Sequence, residues 1–195
     1  MIWYEEEVKQ LKQRINPAQL NRTVFYGSSS IRLWSTLAQD FPDTPVLNLG
    51  FGGSTLAACS WYFEELVVPS KPRAIVFYAG DNDLGDQRHP EEVYLFFCTL
   101  VERMKKNLPD VPLVYVSIKP SLARWDLIEK IKYTNALIAE KIKQTPGFKF
   151  LDLTQAMLGA NHRPRPELFE ADGLHLSPAG YQVWTKLLRP YVEKF

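Results

Sequence analysis

The sequence carries little of what metal binding or covalent cross-linking requires. Its 195 residues include two cysteines, Cys59 and Cys98, and three histidines. Both cysteines lie in apolar helical patterns, without CxxC spacing or a nearby histidine, and read as reduced, buried thiols. Net charge is equally scarce. Lysine and arginine (23) nearly cancel aspartate and glutamate (22), and +1 is too little to draw the chain to nucleic acid or an anionic membrane. No apolar run approaches membrane-spanning length, and Met1-Ile2-Trp3-Tyr4 passes straight into Glu5-Glu6-Glu7, unlike a signal peptide. The expected location is the cytoplasm, although a chain already trimmed after export would look the same. Internal repeats, low-complexity stretches and convincing linkers are also lacking.

What remains is enough apolar residue for a sizeable core. At 46% hydrophobic and 23% charged, residues 1–195 fit one domain. It opens with a flanking amphipathic helix over about residues 2–15, where Tyr4, Val8, Leu11 and Ile15 share one stripe. Five short apolar runs follow, at about 22–26, 45–49, 74–78, 112–118 and 148–153, and read as strands. Helical patterns separate them, carried by Leu33, Trp34 and Leu37, then by 54–66, by Val93 to Met104, and by Leu127 to Ile142. A last helix carries Tyr181, Trp184, Leu188 and Tyr191. Apolar strands alternating with helices predict an α/β fold: a five-stranded parallel sheet, doubly wound, in three layers. Ligands of such sheets bind outside the carboxyl ends of the strands, so the loops there are where chemistry is expected.

Those loops hold complementary groups. After the first strand, Gly27 permits a tight turn into Ser28-Ser29-Ser30, where a helix begins; any of the three serines is placed to cap the helix or present a hydroxyl. Gly52-Gly53 follows the second strand and Gly80-Asp81-Asn82-Asp83 the third, while Asp172-Gly173-Leu174-His175 lies beyond the fifth. Acyl transfer needs a nucleophile, a base, a group orienting that base, and donors for an oxyanion. Ser29, His175 and Asp172 suit the first three roles, and three residues of spacing let one turn of chain join carboxylate to imidazole. The amides of Ser29 and Gly53 and the side chain of Asn82 suit the fourth. Asp81, Asp83, Asp86 and Glu92 fall short of a calcium loop, because Asp86 stands where glycine is needed and a strand precedes; no metal is expected.

These four blocks, in this order, resemble the SGNH hydrolases, also called GDSL-type esterases or lipases. The resemblance implies a flavodoxin-like sheet and hydrolysis of carboxylic esters with no cofactor. It implies Ser29 as nucleophile, because Gly27 aligns with the family's glycine, Asp172 and His175 as its partners, and Ser29, Gly53 and Asn82 as the oxyanion hole. Ser28 departs from the family, whose residue before the nucleophile is aspartate.

The substrate is expected to be a small-molecule ester with a short acyl group such as acetyl, since no apolar segment is left to form a lipid lid. Lys119, Arg124, Trp125 and Arg163, in loops after the fourth and fifth strands, are the expected substrate rim. Aromatics near Trp3 and Tyr4 suit a homodimer contact. Other classes fit less well. Thr55 stands where GxGxxG needs its third glycine, so a nucleotide- or flavin-binding module is disfavoured, and Gly27-Ser28-Ser29-Ser30-Ile31 lacks the final glycine of an α/β-hydrolase elbow. A catalytically silent binding or scaffold protein on the same fold is the main alternative.

Overall fold

A computed structural model of the protein describes residues 1–194. Its frame is a parallel sheet of β1 (Thr23–Gly27), β2 (Val46–Gly50), β3 (Ala74–Tyr78), β4 (Leu113–Val116) and β5 (Phe148–Leu151), in the spatial order β2-β1-β3-β4-β5. All four neighbouring pairs are parallel, and β1 lies between β2 and β3, with Gly27 beside Gly50 on one flank and Tyr78 on the other. The helices are α1 (Glu5–Arg14), α2 (Ser29–Arg32), α3 (Leu37–Asp40), α4 (Leu56–Leu66), α5 (Asp81–Gly85), α6 (Pro90–Asn107), α7 (Ile128–Lys143), α8 (Thr154–Met157) and α9 (Pro178–Val192). None of the described helices is long and apolar enough to cross a membrane.

The inner strands β1, β3 and β4 are buried along their whole length because both sides are covered, and alternate residues enter different cores. Val24, Tyr26, Ile75, Phe77, Leu113 and Tyr115 face the core under α1, α4, α6 and α7. Phe25, Val76, Tyr78, Val114 and Val116 face the core under α2, α3, α8 and α9. In the second core the rings of Trp34 and Trp184 meet edge-on at 6.1 Å, both fully buried. Truncating either indole would cost roughly 3 to 5 kcal/mol.

Helix starts follow local chemistry. The Thr55 hydroxyl accepts from the Ala58 amide to cap α4, and Ser177 accepts from Gly180 to cap α9, with Pro178 in the first turn where its missing N–H costs nothing. The first crossover differs from expectation. It is two short helices rather than one, because the chain turns at Ser35-Thr36 and Leu33 faces out, 42% exposed. Directly after β3 the chain forms α5, so Asn82 lies in a short helix.

Candidate active site

The order of strands reverses between β1 and β3, where connections diverge to either side and leave a crevice at the carboxyl ends. Gly27 ends β1 at the floor of that crevice. Its φ of +137° suits glycine, and a Cβ there would lie 1.8 Å from the Tyr78 carbonyl oxygen. Only a bare Cα lets β1 turn this close to β3, and the turn delivers Ser29 into the first position of α2. Ser28 and Ser30 are buried, while Ser29 is half-buried.

Ser29 Oγ lies 3.0 Å from His175 Nε2, and His175 Nδ1 lies 2.5 Å from Asp172 Oδ2. The other Asp172 oxygen accepts from the amides of Leu174 and His175, each at 2.9 Å, so the carboxylate is fixed by the backbone of its own turn. The hydrogen bond from the His175 ring, reinforced by these amides, lowers the Asp172 carboxyl to about 2. An ionised carboxylate only accepts, so Nδ1 carries the proton of the neutral ring and Nε2 is left to accept from Ser29.

Three candidate donors lie in the turns that follow β1, β2 and β3. Among the described residues, the amides of Ser29 and Gly53 have no hydrogen-bond acceptor. Gly53 has φ +64°, and the space a Cβ would fill is open; glycine answers the backbone conformation here, not crowding by neighbours. Asn82 Nδ2 donates to the Ser54 carbonyl at 3.0 Å with one of its two hydrogens. Its Oδ1 accepts from Arg124 Nη2, also at 3.0 Å.

The structure corrects part of the expected rim. Lys119 is 1% exposed and points inward, its Nζ 3.0 Å from Asp81 Oδ2 and 3.2 Å from the Tyr78 hydroxyl. Arg124 is also turned in, with Nη1 2.5 Å from Asp81 Oδ1. Burial pushes the Asp81 carboxyl up, but Lys119 and then Arg124 outweigh it and hold the group below its ordinary range. Neither cation is free to meet a substrate, because a buried carboxylate claims both. Trp125 and Arg163 stay at the surface and pair with each other, the guanidinium 4.8 Å from the ring centre.

Tyr4 is likewise not an exposed aromatic. It is buried against Phe51, and its hydroxyl donates to the Gly53 carbonyl at 2.9 Å; Trp3 beside it is 75% exposed. Glu7 accepts from the Gly52 amide at 2.9 Å and faces Arg32 at 3.6 Å. This carboxylate explains a cation in the first helical turn after Ser29. The flanking helix therefore buttresses the Gly52-Gly53 turn, a role no local motif announces. Asp83 is another unforeseen participant: its oxygens accept from Leu56 at 2.6 Å and Ala57 at 3.5 Å, capping α4 from across the loop.

Residues 22–183 match the model of the GDSL-like Lipase/Acylhydrolase family. No curated protein matches the chain in sequence. Among solved structures, a protein from Streptococcus pneumonia is 19% identical with a TM-score of 0.85, covering 97% of this chain and 94% of its own. A GDSL-like lipase from Bacteroides thetaiotaomicron is 24% identical with a TM-score of 0.80, covering 98% and 96%. A carbohydrate esterase family 3 protein from Talaromyces cellulolyticus is 16% identical with a TM-score of 0.73, covering 90% and 97%. At these identities the likeness is one of fold.

Proposed function

Because the chain belongs to the GDSL-like Lipase/Acylhydrolase family, and is on that ground a hydrolase, we propose that it cleaves carboxylic esters by a serine mechanism, with an acyl-enzyme on Ser29. The observation that carries this reading is the row Ser29 Oγ, His175, Asp172, with successive separations of 3.0 and 2.5 Å. Ser29 attacks the ester carbonyl as His175 Nε2 takes its proton, and Asp172 stabilises the imidazolium that results. Charge builds on the carbonyl oxygen, where the amides of Ser29 and Gly53 and the second hydrogen of Asn82 Nδ2 receive it. The tetrahedral intermediate collapses, His175 Nε2 protonates the departing alcohol oxygen, and the C–O bond breaks. Water, deprotonated by the same nitrogen, then releases the acid from Ser29.

The acyl group we assign is short, acetyl being the natural probe. The support is that the apolar faces of the described helices and strands are spent on the two cores, leaving no separate segment to cover a long chain. The experiment is hydrolysis of p-nitrophenyl acetate by the wild type and by Ser29→Ala, with both checked for folding by circular dichroism. Loss of turnover with Ser29 is expected; a fully active Ser29→Ala would overturn the assignment.

A further inference from the structure

A cavity of about 390 Å3 opens beside His175, between the end of α2 and the start of α9. That volume lies within the roughly 300 to 1,000 Å3 of ligand sites. Leu33, Pro178 and Tyr181 supply apolar wall, and Asp40, Glu170 and Gln182 supply polar wall. The Tyr181 hydroxyl is spent on the Ser30 carbonyl, 3.0 Å away, so this residue offers the cavity its ring. Leu33 is 42% exposed, an apolar side chain that neither core uses.

The position of His175 decides which half of an ester belongs there. The departing alcohol oxygen takes its proton from Nε2 and must come within hydrogen-bond reach of that ring. The carbonyl oxygen points the other way, toward Ser29, Gly53 and Asn82. The cavity is walled by His175 and by none of Ser29, Gly53 and Asn82, so of the two halves of the ester it adjoins the one whose oxygen His175 protonates.

Its charge narrows the alcohol. Asp40 Oδ2 accepts from Trp34 Nε1 at 2.6 Å and from the Thr36 hydroxyl at 2.7 Å, while Oδ1 has no donor among the described residues. No lysine or arginine stands among the described residues of the wall. Arg189 stands behind Asp40, on its backbone carbonyl at 3.0 Å, and outside the wall; an anion in the cavity would meet the two wall carboxylates first, whereas a hydroxyl or ammonium would find an acceptor in Asp40 Oδ1. Resting on the serine-esterase reading, we propose that this cavity seats the alcohol half of the ester and that its alcohol carries an apolar face and no negative charge.

Three acetate esters of similar size test this: those of choline (cationic), 3,3-dimethylbutanol (neutral) and 3-hydroxypropanesulfonate (anionic). The anionic ester should show kcat/KM about tenfold or more below the other two, and Glu170→Gln should narrow that gap. Leu33→Trp, at an exposed position that tolerates bulk, should lower the ratio of kcat/KM for 3,3-dimethylbutyl acetate to that for methyl acetate by about tenfold. Equal use of the anionic ester overturns the proposal. So does a Leu33→Trp variant that slows both esters by one factor, or a wild type that cleaves p-nitrophenyl acetate and none of the three. If Leu33→Trp does not fold, the charge series on the wild type decides alone. Activity surviving in Ser29→Ala would instead strike the serine-esterase reading itself; activity lost there, with indifference to alcohol charge, strikes the cavity only.

Discussion

Arg124 grips Asn82 by the carbonyl end of its side chain, Nη2 to Oδ1 at 3.0 Å, while its other nitrogen holds Asp81. With Oδ1 taken, a flipped amide would set two donors against the guanidinium, so Nδ2 is kept on the Ser54 carbonyl with its second hydrogen left over. Asn82→Ala should lower kcat by about 10²- to 10³-fold with little change in KM. Arg124→Met should lower it by about ten- to a hundredfold, and the double variant should be within about twofold of Asn82→Ala. Steady-state kinetics on the four proteins check this. Fully multiplicative losses would mean that Arg124 does not act through Asn82.

Asp172→Asn keeps the shape of the turn while offering His175 Nδ1 an amide that can stabilise the wrong tautomer. A kcat loss on the order of 10²- to 10⁴-fold is expected. Because the carboxylate is about half exposed, the melting temperature should move by only a few degrees. Calorimetry beside kinetics separates this outcome from simple unfolding.

Asp83 couples stability to pH. Burial raises its carboxyl to about 6, although the amides of Leu56 and Ala57 at the head of α4 pull it back. A group whose folded value lies above its unfolded one contributes fully when protonated in both states, below about pH 4, and that contribution is lost as pH rises through 6. Between pH 4 and 7, the unfolding free energy of the wild type should therefore fall by about 2 kcal/mol relative to Asp83→Asn. Urea titrations at several pH values measure the difference. A gap independent of pH would show that Asp83 ionises in the ordinary range.

Asp81→Asn would strand Lys119, which is 1% exposed, with no counter-charge. A cost of roughly 3 to 5 kcal/mol in urea unfolding is expected, with part recovered in Asp81→Asn/Lys119→Met, where the buried cation is gone as well. A single variant as stable as the wild type would mean that water reaches Lys119.

The sheet is legible in the sequence because fully covered strands are unbroken apolar runs: Ala74-Ile75-Val76-Phe77-Tyr78 needs no tertiary information to be read as one. The polar blocks are legible too, since each follows a strand at once or sits in a short turn. The errors share a cause. Leu33-Trp34-Leu37 has helical spacing, yet only Trp34 and Leu37 are buried, and nothing local says that the chain breaks at Ser35-Thr36. Lys119 and Arg124 look like free loop cations because their carboxylate, Asp81, lies 38 and 43 positions away. Tyr4 looks like a surface aromatic because Gly53, its partner, is 49 positions distant. Spacing shows what a residue can do; which neighbour claims it is decided by the tertiary fold.

Ser29 and His175 meet across 146 positions of chain, and α9 reaches its place only by docking Trp184 against Trp34 and Tyr78. During synthesis the protein thus owns its serine long before it owns the imidazole opposite. A copy still leaving the ribosome, or one severed between the two, keeps the hydroxyl and lacks that ring. On the mechanism proposed above, reactivity arrives last, in finished molecules.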